Sequence, residues 1–255
     1  MKKILSIAFI FLHIINYSQI RDDITHLNGE WEIIYDHDNI GKLQAYNTDE
    51  GFSKGEIEKI TVPSVWERFK KDYEGVVYYR TSFNVNEDYK NKKIHLNFNA
   101  SNYITEVFLN NNSVGFHEGG FSPFSFNVEH IINFDSENVL IVKVMGPITI
   151  QDKIIDGIGQ METPQWRGSY TGGIWQDVFL SYTGQTHIND VFITGNFRNG
   201  EIEITNEINN GIGDGLYKLI FDINKKQRFE ELFDLKNTNL KVIKKIKNNI
   251  ENHQI

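Results

Sequence analysis

Apolar and polar residues alternate with a period of two through the middle of the chain. In VVYYRTSFNV (76–85), one side of the pattern carries Val77, Tyr79, Thr81, Phe83 and Val85, and the other carries Arg80, Ser82 and Asn84. The segments IHLNFNA, TEVFLN, FSFNV and VLIVKV repeat this alternation. Each is typical of a β-strand that buries one face.

Short turn signals separate these predicted strands. LNNNSVG (109–115) is typical of a hairpin connection, and HEGG (117–120) is typical of a glycine-rich loop. No segment of this region has a convincing helical pattern, and the chain contains only four prolines. We therefore predict an all-β fold, with an antiparallel jelly-roll sandwich over residues 20–184.

A second β-unit is predicted over residues 187–255. INDVFITGNF, GEIEITNEI and GLYKLIFDINK indicate three strands, separated by RNG and NNGIGDG. An immunoglobulin-like sandwich usually has about seven strands, so we expect an incomplete one. The tail LKVIKKIKNNIENHQI fits a helix and a strand equally well. We expect the open apolar edge of this incomplete sandwich to cause self-association. We also expect limited proteolysis to leave a stable core that ends near residue 185.

The first 19 residues resemble a secretory signal. Lys2 and Lys3 precede an apolar run from Ile4 to about Ile15, which is too short to span a bilayer of about 30 Å. We expect cleavage near Ser18 or Gln19, export, and no membrane attachment afterwards. Because the chain has no cysteine, an oxidising compartment would not change its covalent structure.

Composition narrows the classes of partner. An apolar content of 40% is enough for a real core, and aromatic residues make up 13% of the chain. The net charge is −8 without a basic block, which argues against a nucleic-acid partner. Aromatic residues serve both the packing of sheets and the stacking of sugars, so composition leaves both uses open.

Motifs for metals, phosphates and nucleophiles are missing from the sequence. The histidines show neither H-x-H nor H-x-x-x-H spacing, so we predict no transition-metal site and no cofactor. The sequence does not decide whether loop oxygens from scattered positions hold a structural Ca²⁺ ion. The chain has neither a cysteine nor a G-x-S-x-G nucleophile motif.

The segment GQMETPQWRGSYTGGIWQ (159–176) is the densest source of sugar-binding side chains. Sugar recognition uses flat aromatic faces and forked polar groups. We predict substrate contacts from Gln160, Gln165, Trp166, Arg167 and Tyr170. In the same segment, Gly172, Gly173 and Trp175 fit a turn that opens a core strand. Trp31 and Trp66 are predicted to be core residues.

Six segments, in order, resemble the N-terminal sugar-binding domain of glycoside hydrolase family 2. They are LNGEWEIIYD (27–36), VPSVWERF (62–69), YEGVVYYRTSFNV (73–85), VFLNNNSVGFHEGGFSPFSFNV (107–128), ENVLIVKV (137–144) and GGIWQDVFL (172–180). HINDVFITGNFRNGEIEI then resembles the start of the family's immunoglobulin-like domain. The family includes β-galactosidases, β-glucuronidases and β-mannosidases. Gly159 and Gln160 match the family's G-K-Q loop without its lysine, and Pro164 replaces an aspartate of some galactosidases.

The resemblance implies a catalytic (β/α)₈ barrel with two glutamates, which we expect to be absent from this chain. A barrel takes about 250 residues, and retaining hydrolysis needs two carboxylates about 5–5.5 Å apart. Asn206-Glu207 resembles the family's Asn-Glu motif, but its strand pattern argues against a catalytic role.

We therefore expect a non-catalytic, sugar-binding part of an exported family 2 hydrolase, inactive alone. Two alternatives stay open. One is a self-standing carbohydrate-binding module. The other is a scaffold whose partner is a separate barrel-bearing chain.

Overall fold

The computed structural model describes residues 23–146, 148, 171–196, 198, 201–209, 215–223, 227–235 and 240–247. The predicted signal segment lies outside these residues. The chain divides into two compact bodies, the first formed by Asp22–Thr183 and the second containing the strands from His187 onward. No helix in the described part has the length and apolar character needed to span a membrane.

The first body is an antiparallel β-sandwich, as the alternation predicts. Its described strands are β1 Asp23–His26, β2 Gly29–Asp36, β3 Glu58–Val62, β4 Val76–Phe83, β5 Lys93–Phe98, β6 Ile104–Leu109, β7 Asn112–Glu118, β8 Phe124–Asn127, β9 Asn138–Met145 and β10 Val178–Thr183. One sheet has the order β3-β2-β4-β9-β6-β7, and the facing sheet has the order β1-β10-β5-β8.

The core lies between these two sheets. Ile94, Leu96 and Phe98 of β5 are fully buried, while the residues between them are only partly buried. Trp31 and Trp66 belong to the same buried cluster, as the sequence predicts. Alternation therefore identified the inward face of the sandwich correctly.

The outward face of the six-stranded sheet is also buried in part. A short helix, α1 (Asp49–Phe52), lies in the excursion between β2 and β3. Phe52 and Tyr46 of this excursion pack on Val76 and Tyr78 of β4. The sequence pattern did not indicate this single helical turn, and the all-β class is confirmed. The N-cap residue of the turn, Thr48, accepts a hydrogen bond from the Gly51 amide.

The predicted hairpin at 109–115 joins β6 and β7. Asn110 and Asn111 have positive φ values of 51° and 64°. These values match a two-residue type I′ turn, in which asparagine is favoured because it tolerates positive φ. The Asn110 side-chain amide donates to the Ile131 carbonyl, and Asn111 Oδ1 accepts from the Asp49 amide. The strand β7 is consequently paired with β6 at the edge of the sheet.

The second body contains five described strands where the sequence pattern indicated three and an ambiguous tail. They are β11 His187–Asn196, β12 Glu201–Asn209, β13 Gly215–Ile223, β14 Gln227–Leu235 and β15 Leu240–Lys247. Two sheets form, with the orders β11-β12-β15 and β13-β14. Their buried cluster includes Ile204, Ile208 and Leu219.

The tail is a strand in its described part. A helix would place Ile243 and Ile246 on one face, but pairing of β15 with β12 places them on opposite faces. Ile246 is accordingly buried, whereas Ile243 is exposed. Glu207 on β12 is exposed, on the face opposite Ile204 and Ile208, as the strand pattern predicts.

Candidate functional site

The predicted sugar contacts lie outside the described residues. Gln160, Gln165, Trp166, Arg167 and Tyr170 all belong to residues 149–170, and they remain predictions. The structure does describe Thr171–Trp175, the residues that follow this segment and precede β10. The candidate site is therefore built from this short stretch and from the side chains that hold it.

Asn102 holds one side of this stretch. Its backbone amide donates to the Gly173 carbonyl at 2.9 Å, and the Gly173 amide donates back to the Asn102 carbonyl at 3.0 Å. The Asn102 side-chain amide also donates to the Thr171 carbonyl. These bonds add a two-residue antiparallel bridge beside the start of β6.

The turn that contains Trp66 holds the other side. The Trp66 amide donates to the Gly172 carbonyl at 3.1 Å, and the Ser64 amide donates to the Ile174 carbonyl at 2.9 Å. Ile174 is fully buried in the core of the first body. The stretch is thus bonded through its backbone on both sides.

Gly172 and Gly173 are required by close packing. A Cβ on Gly172 would overlap the buried Trp66 indole. Gly173 has a φ of +109°, and a Cβ there would come too close to the Tyr79 hydroxyl. The structural interpretation of both glycines therefore has a direct steric reason.

Trp175 and Phe121 form a partly exposed pair that we call the aromatic rim. Their ring centroids lie 5.8 Å apart with an interplanar angle of 69°, an edge-to-face arrangement. The Trp175 indole Nε1 donates to the Gly120 carbonyl at 2.9 Å. Trp175 is half-buried, whereas the Phe121 side chain is 60% exposed. One aromatic ring is therefore fixed and the other is open to solvent.

Asn102 lies beneath the loop that carries Phe121. The residue is 2% exposed, and its Oδ1 has no hydrogen-bond partner among the described residues. A Cβ on Gly120 would overlap this oxygen, so glycine lets the loop pass close to it. The rim thus stands next to a buried polar atom whose hydrogen-bonding capacity is not fully used.

Glu67 makes the one side-chain bond to the Gly172 amide, with Oε1 as acceptor at 2.8 Å. Its other oxygen, Oε2, is buried and has no hydrogen-bond partner in the described structure. Burial raises the pKa of Glu67 to about 7. The carboxyl group therefore changes its ionised fraction near neutral pH.

A separate polar cleft of about 570 Å³ lies on the outward face of the six-stranded sheet. Arg80 is its central cation, with Nη2 2.6 Å from Glu32 Oε2 and Nη1 2.7 Å from Asp49 Oδ1. The guanidinium also lies 4.6 Å from the centre of the Phe52 ring. These contacts tie α1 to β4 and β2, which explains the cluster without a ligand.

The described ranges contain no group of three or more histidine, aspartate or glutamate side chains placed to hold a metal ion. A structural Ca²⁺ ion, which the sequence leaves open, would be held by loop oxygens. No side-chain cluster in the described ranges supports such a site. His117 instead stacks on Phe124 at 4.0 Å, and burial lowers its pKa.

Sequence reasoning missed Phe121, Asn102 and Glu67 as members of a site. The signal for Phe121 was an aromatic residue directly after the glycines of the 117–120 loop. Asn102 and Glu67 carry no comparable signal, because only the fold brings them to residues about 70 and 105 positions further along the chain.

Comparison with known proteins gives a consistent set of matches. The profile described as "Glycosyl hydrolases family 2, sugar binding domain" matches residues 68–184. The β-galactosidase of Thermoanaerobacter pseudethanolicus is 30% identical over 204 residues, which cover 74% of this chain and 26% of that protein. The β-glucuronidase of Bacteroides fragilis is 24% identical over 193 residues, with coverages of 73% and 24%.

A solved structure shows the same fold. The crystal structure of Bacteroides uniformis β-glucuronidase matches with a TM-score of 0.69 and 22% identity, over 89% of this chain and 28% of that chain. The present chain spans about a quarter of the length of these relatives.

Proposed function

Since the chain belongs to glycoside hydrolase family 2 and carries its N-terminal domain, we propose that the first body binds carbohydrate through the aromatic rim. The observation that carries this proposal is the pair of Phe121 and Trp175. Sugars present C–H groups on one face of the ring, and an exposed aromatic face binds such a surface. The exposed Phe121 ring offers such a face, and the fixed Trp175 indole borders it at an interplanar angle of 69°.

Polar groups of the site would come from the predicted side-chain contacts. Polar atoms near an aromatic platform orient a ligand, whereas the platform supplies most of the buried area. Asn102 Oδ1 lies beneath the same loop and is buried, so a ligand on the rim does not reach it. Predicted contacts from Trp166 and Arg167 would extend this site.

The whole protein's role is part of the same proposal. By family resemblance, the complete enzyme would be exported and would hydrolyse terminal β-linked sugars with retention. The catalytic carboxylates would belong to a barrel, and the residues of this chain would serve substrate recognition only. The purified 255-residue protein should therefore show no turnover of aryl β-glycosides, and measured turnover would contradict a non-catalytic role.

Calorimetric titration with methyl β-galactoside, methyl β-glucuronide and their oligosaccharides tests the binding site. We expect millimolar or tighter binding that weakens at least tenfold in Trp175→Ala and less strongly in Phe121→Ala. Phe116→Ala is the matched control, because Phe116 is 71% exposed but lies on the outward face of β7. Equal losses in all three variants, or none in Trp175→Ala, would remove the rim as the site.

A further inference from the structure

Glu67 is linked to the aromatic rim through three residues of backbone. Its Oε1 accepts from the Gly172 amide at 2.8 Å, and Trp175 follows three positions later. We propose that Glu67 is a positioning residue for the rim, which sets the place of the Trp175 indole through the Gly172 bond. This inference rests on the proposed function, because the rim is the site that it positions.

The stretch from Gly172 to Trp175 is bonded at both of its ends. At one end, Gly172 uses its carbonyl with Trp66 and its amide with Glu67. At the other end, the Trp175 indole donates to Gly120 at 2.9 Å. Between them, Ile174 is fully buried and cannot shift without disturbing the core. The bond at the Gly172 amide is therefore one of a small set of contacts that fix the backbone from which the Trp175 side chain extends.

The Trp66 indole and the phenols of Tyr35 and Tyr79 interact with the Glu67 carboxyl, and all three are neutral at pH 7. Burial raises the pKa of Tyr35 to about 12 and that of Tyr79 well above its ordinary value. Lys70 lies 4.3 Å from the centre of the Tyr35 ring and pairs with Glu58 at 3.3 Å.

No ion pair among the described residues includes Glu67, and Arg68 follows it in the same turn. A carboxylate accepts a hydrogen bond more strongly than a carboxylic acid does. Because burial places the pKa of Glu67 near 7, the bond to Gly172 should strengthen as the pH rises from 6 to 8. The Trp175 indole should respond over the same range.

The direct test follows the Trp175 indole N–H by NMR in ¹⁵N-tryptophan-labelled protein, with the resonance assigned from Trp175→Phe. In the wild type we expect this resonance to titrate with a midpoint near pH 7. Glu67→Gln keeps an acceptor for Gly172 and removes the titration, so its resonance should stay at one position. Glu67→Ala should displace the resonance at every pH.

Glu58→Gln is the matched control, since Glu58 acts on Tyr35 but has no bond to Gly172. Its Trp175 resonance should titrate as in the wild type. A wild-type resonance that does not change between pH 5.5 and 8.5 would overturn the inference, and this measurement needs no variant to fold. A resonance that titrates equally in Glu67→Gln would overturn it as well.

Binding of the same methyl β-glycosides separates this inference from the proposed function. We expect Glu67→Ala to weaken binding about five- to tenfold and Glu67→Gln to stay within about twofold. If the wild type binds no sugar while the indole titrates, the proposed function fails and the positioning role stands. If the wild type binds sugar and Glu67→Ala changes neither affinity nor the indole, the positioning role fails alone.

Discussion

The two bodies of this chain bury their apolar faces to different extents. In the first body, a six-stranded sheet faces a four-stranded one, and a further excursion with α1 covers part of the outward face. In the second body, a three-stranded sheet accompanies a two-stranded one. Val191 and Ile193 of β11 share a face with the buried residues Asn206 and Ile204, yet they are 46% and 62% exposed.

The difference shows that alternation alone does not bury a strand. Like β5, β11 carries several apolar residues, but the facing sheet has no described strand that covers Val191 and Ile193. An edge strand with exposed apolar side chains is a template for pairing with another chain. Self-association through an open apolar edge, expected from the sequence, therefore remains a prediction, and β11 is the edge strand on which its test is placed.

The largest expected effect comes from the core of the first body. Phe98→Ala removes a fully buried ring that stacks on Phe124 at 4.9 Å, and it should cost about 3–5 kcal/mol. Urea unfolding followed by tryptophan fluorescence measures this change. Leu43→Ala is the control, since Leu43 is 83% exposed and its loss should cost under about 0.5 kcal/mol. Similar costs for both variants would contradict the close packing of this body.

The cover over the outward face should be the next most sensitive feature. Arg80→Ala leaves Asp49 without its cation, leaves Glu32 with Lys59 at 3.8 Å, and uncovers Phe52, so we expect a loss of about 1–3 kcal/mol. Limited proteolysis should then cut between β2 and β3. Lys59→Ala removes a mostly exposed cation that lies 3.4 Å from Glu30 and 3.8 Å from Glu32 but forms no ion pair with α1 in the described structure, and it should cost under about 0.5 kcal/mol. Resistance of the Arg80→Ala protein to such cleavage would show that packing alone holds the cover.

The pH dependence of the first body should carry a contribution from Glu67. Because its pKa is near 7 in the folded state and lower when unfolded, the folded state holds the proton more tightly. The free energy of unfolding from this group therefore falls as the pH rises from about 4.5 through 7. We expect a fall of about 1 kcal/mol, reduced from the full shift by partial exposure.

Urea unfolding of the wild type and Glu67→Gln at pH 5 and pH 8 isolates this contribution. Between pH 5 and pH 8, the free energy of unfolding of the wild type should fall by more than that of Glu67→Gln. An identical pH dependence in both proteins would show that Glu67 has an ordinary pKa.

The smallest effect on stability should come from the exposed face of β11. Val191→Thr combined with Ile193→Thr should change the free energy of unfolding by under about 0.5 kcal/mol, since both side chains are already partly in water. Light scattering should show weaker self-association than in the wild type. A loss above about 2 kcal/mol would mean that another part of the protein buries these residues.

Predictability differed from element to element for physical reasons. Alternation identified β5 and the core positions of Trp31 and Trp66, because a strand's side chains point to opposite faces whatever its neighbours are. It did not identify burial of Val76 and Tyr78, because the covering excursion comes from a different part of the chain. It did not decide between helix and strand for the tail, because the spacing of Ile243 and Ile246 also fits a helix. Pairing with β12 makes this segment a strand.

Site prediction followed the same division. The sequence pointed to the segment 159–176 because aromatic and polar residues are concentrated there, but it gave Trp175 a structural place in the turn that opens a core strand. It gave no reason to join Trp175 to Phe121 or Gly172 to Glu67, which lie 54 and 105 positions apart along the chain. Composition reports which chemistry is present but not which groups meet.

The sequence by itself determined the all-β class, the inward faces of the main strands, and membership in a family of carbohydrate-active proteins. These properties depend on short-range periodicity and on ordered motifs, which a linear chain displays directly. Only the tertiary structure decided which apolar faces are covered, which glycines pack against Trp66, and which carboxyl group loses enough water to titrate near pH 7. Burial and hydrogen bonding depend on neighbours that are distant in sequence, and folding alone brings them together.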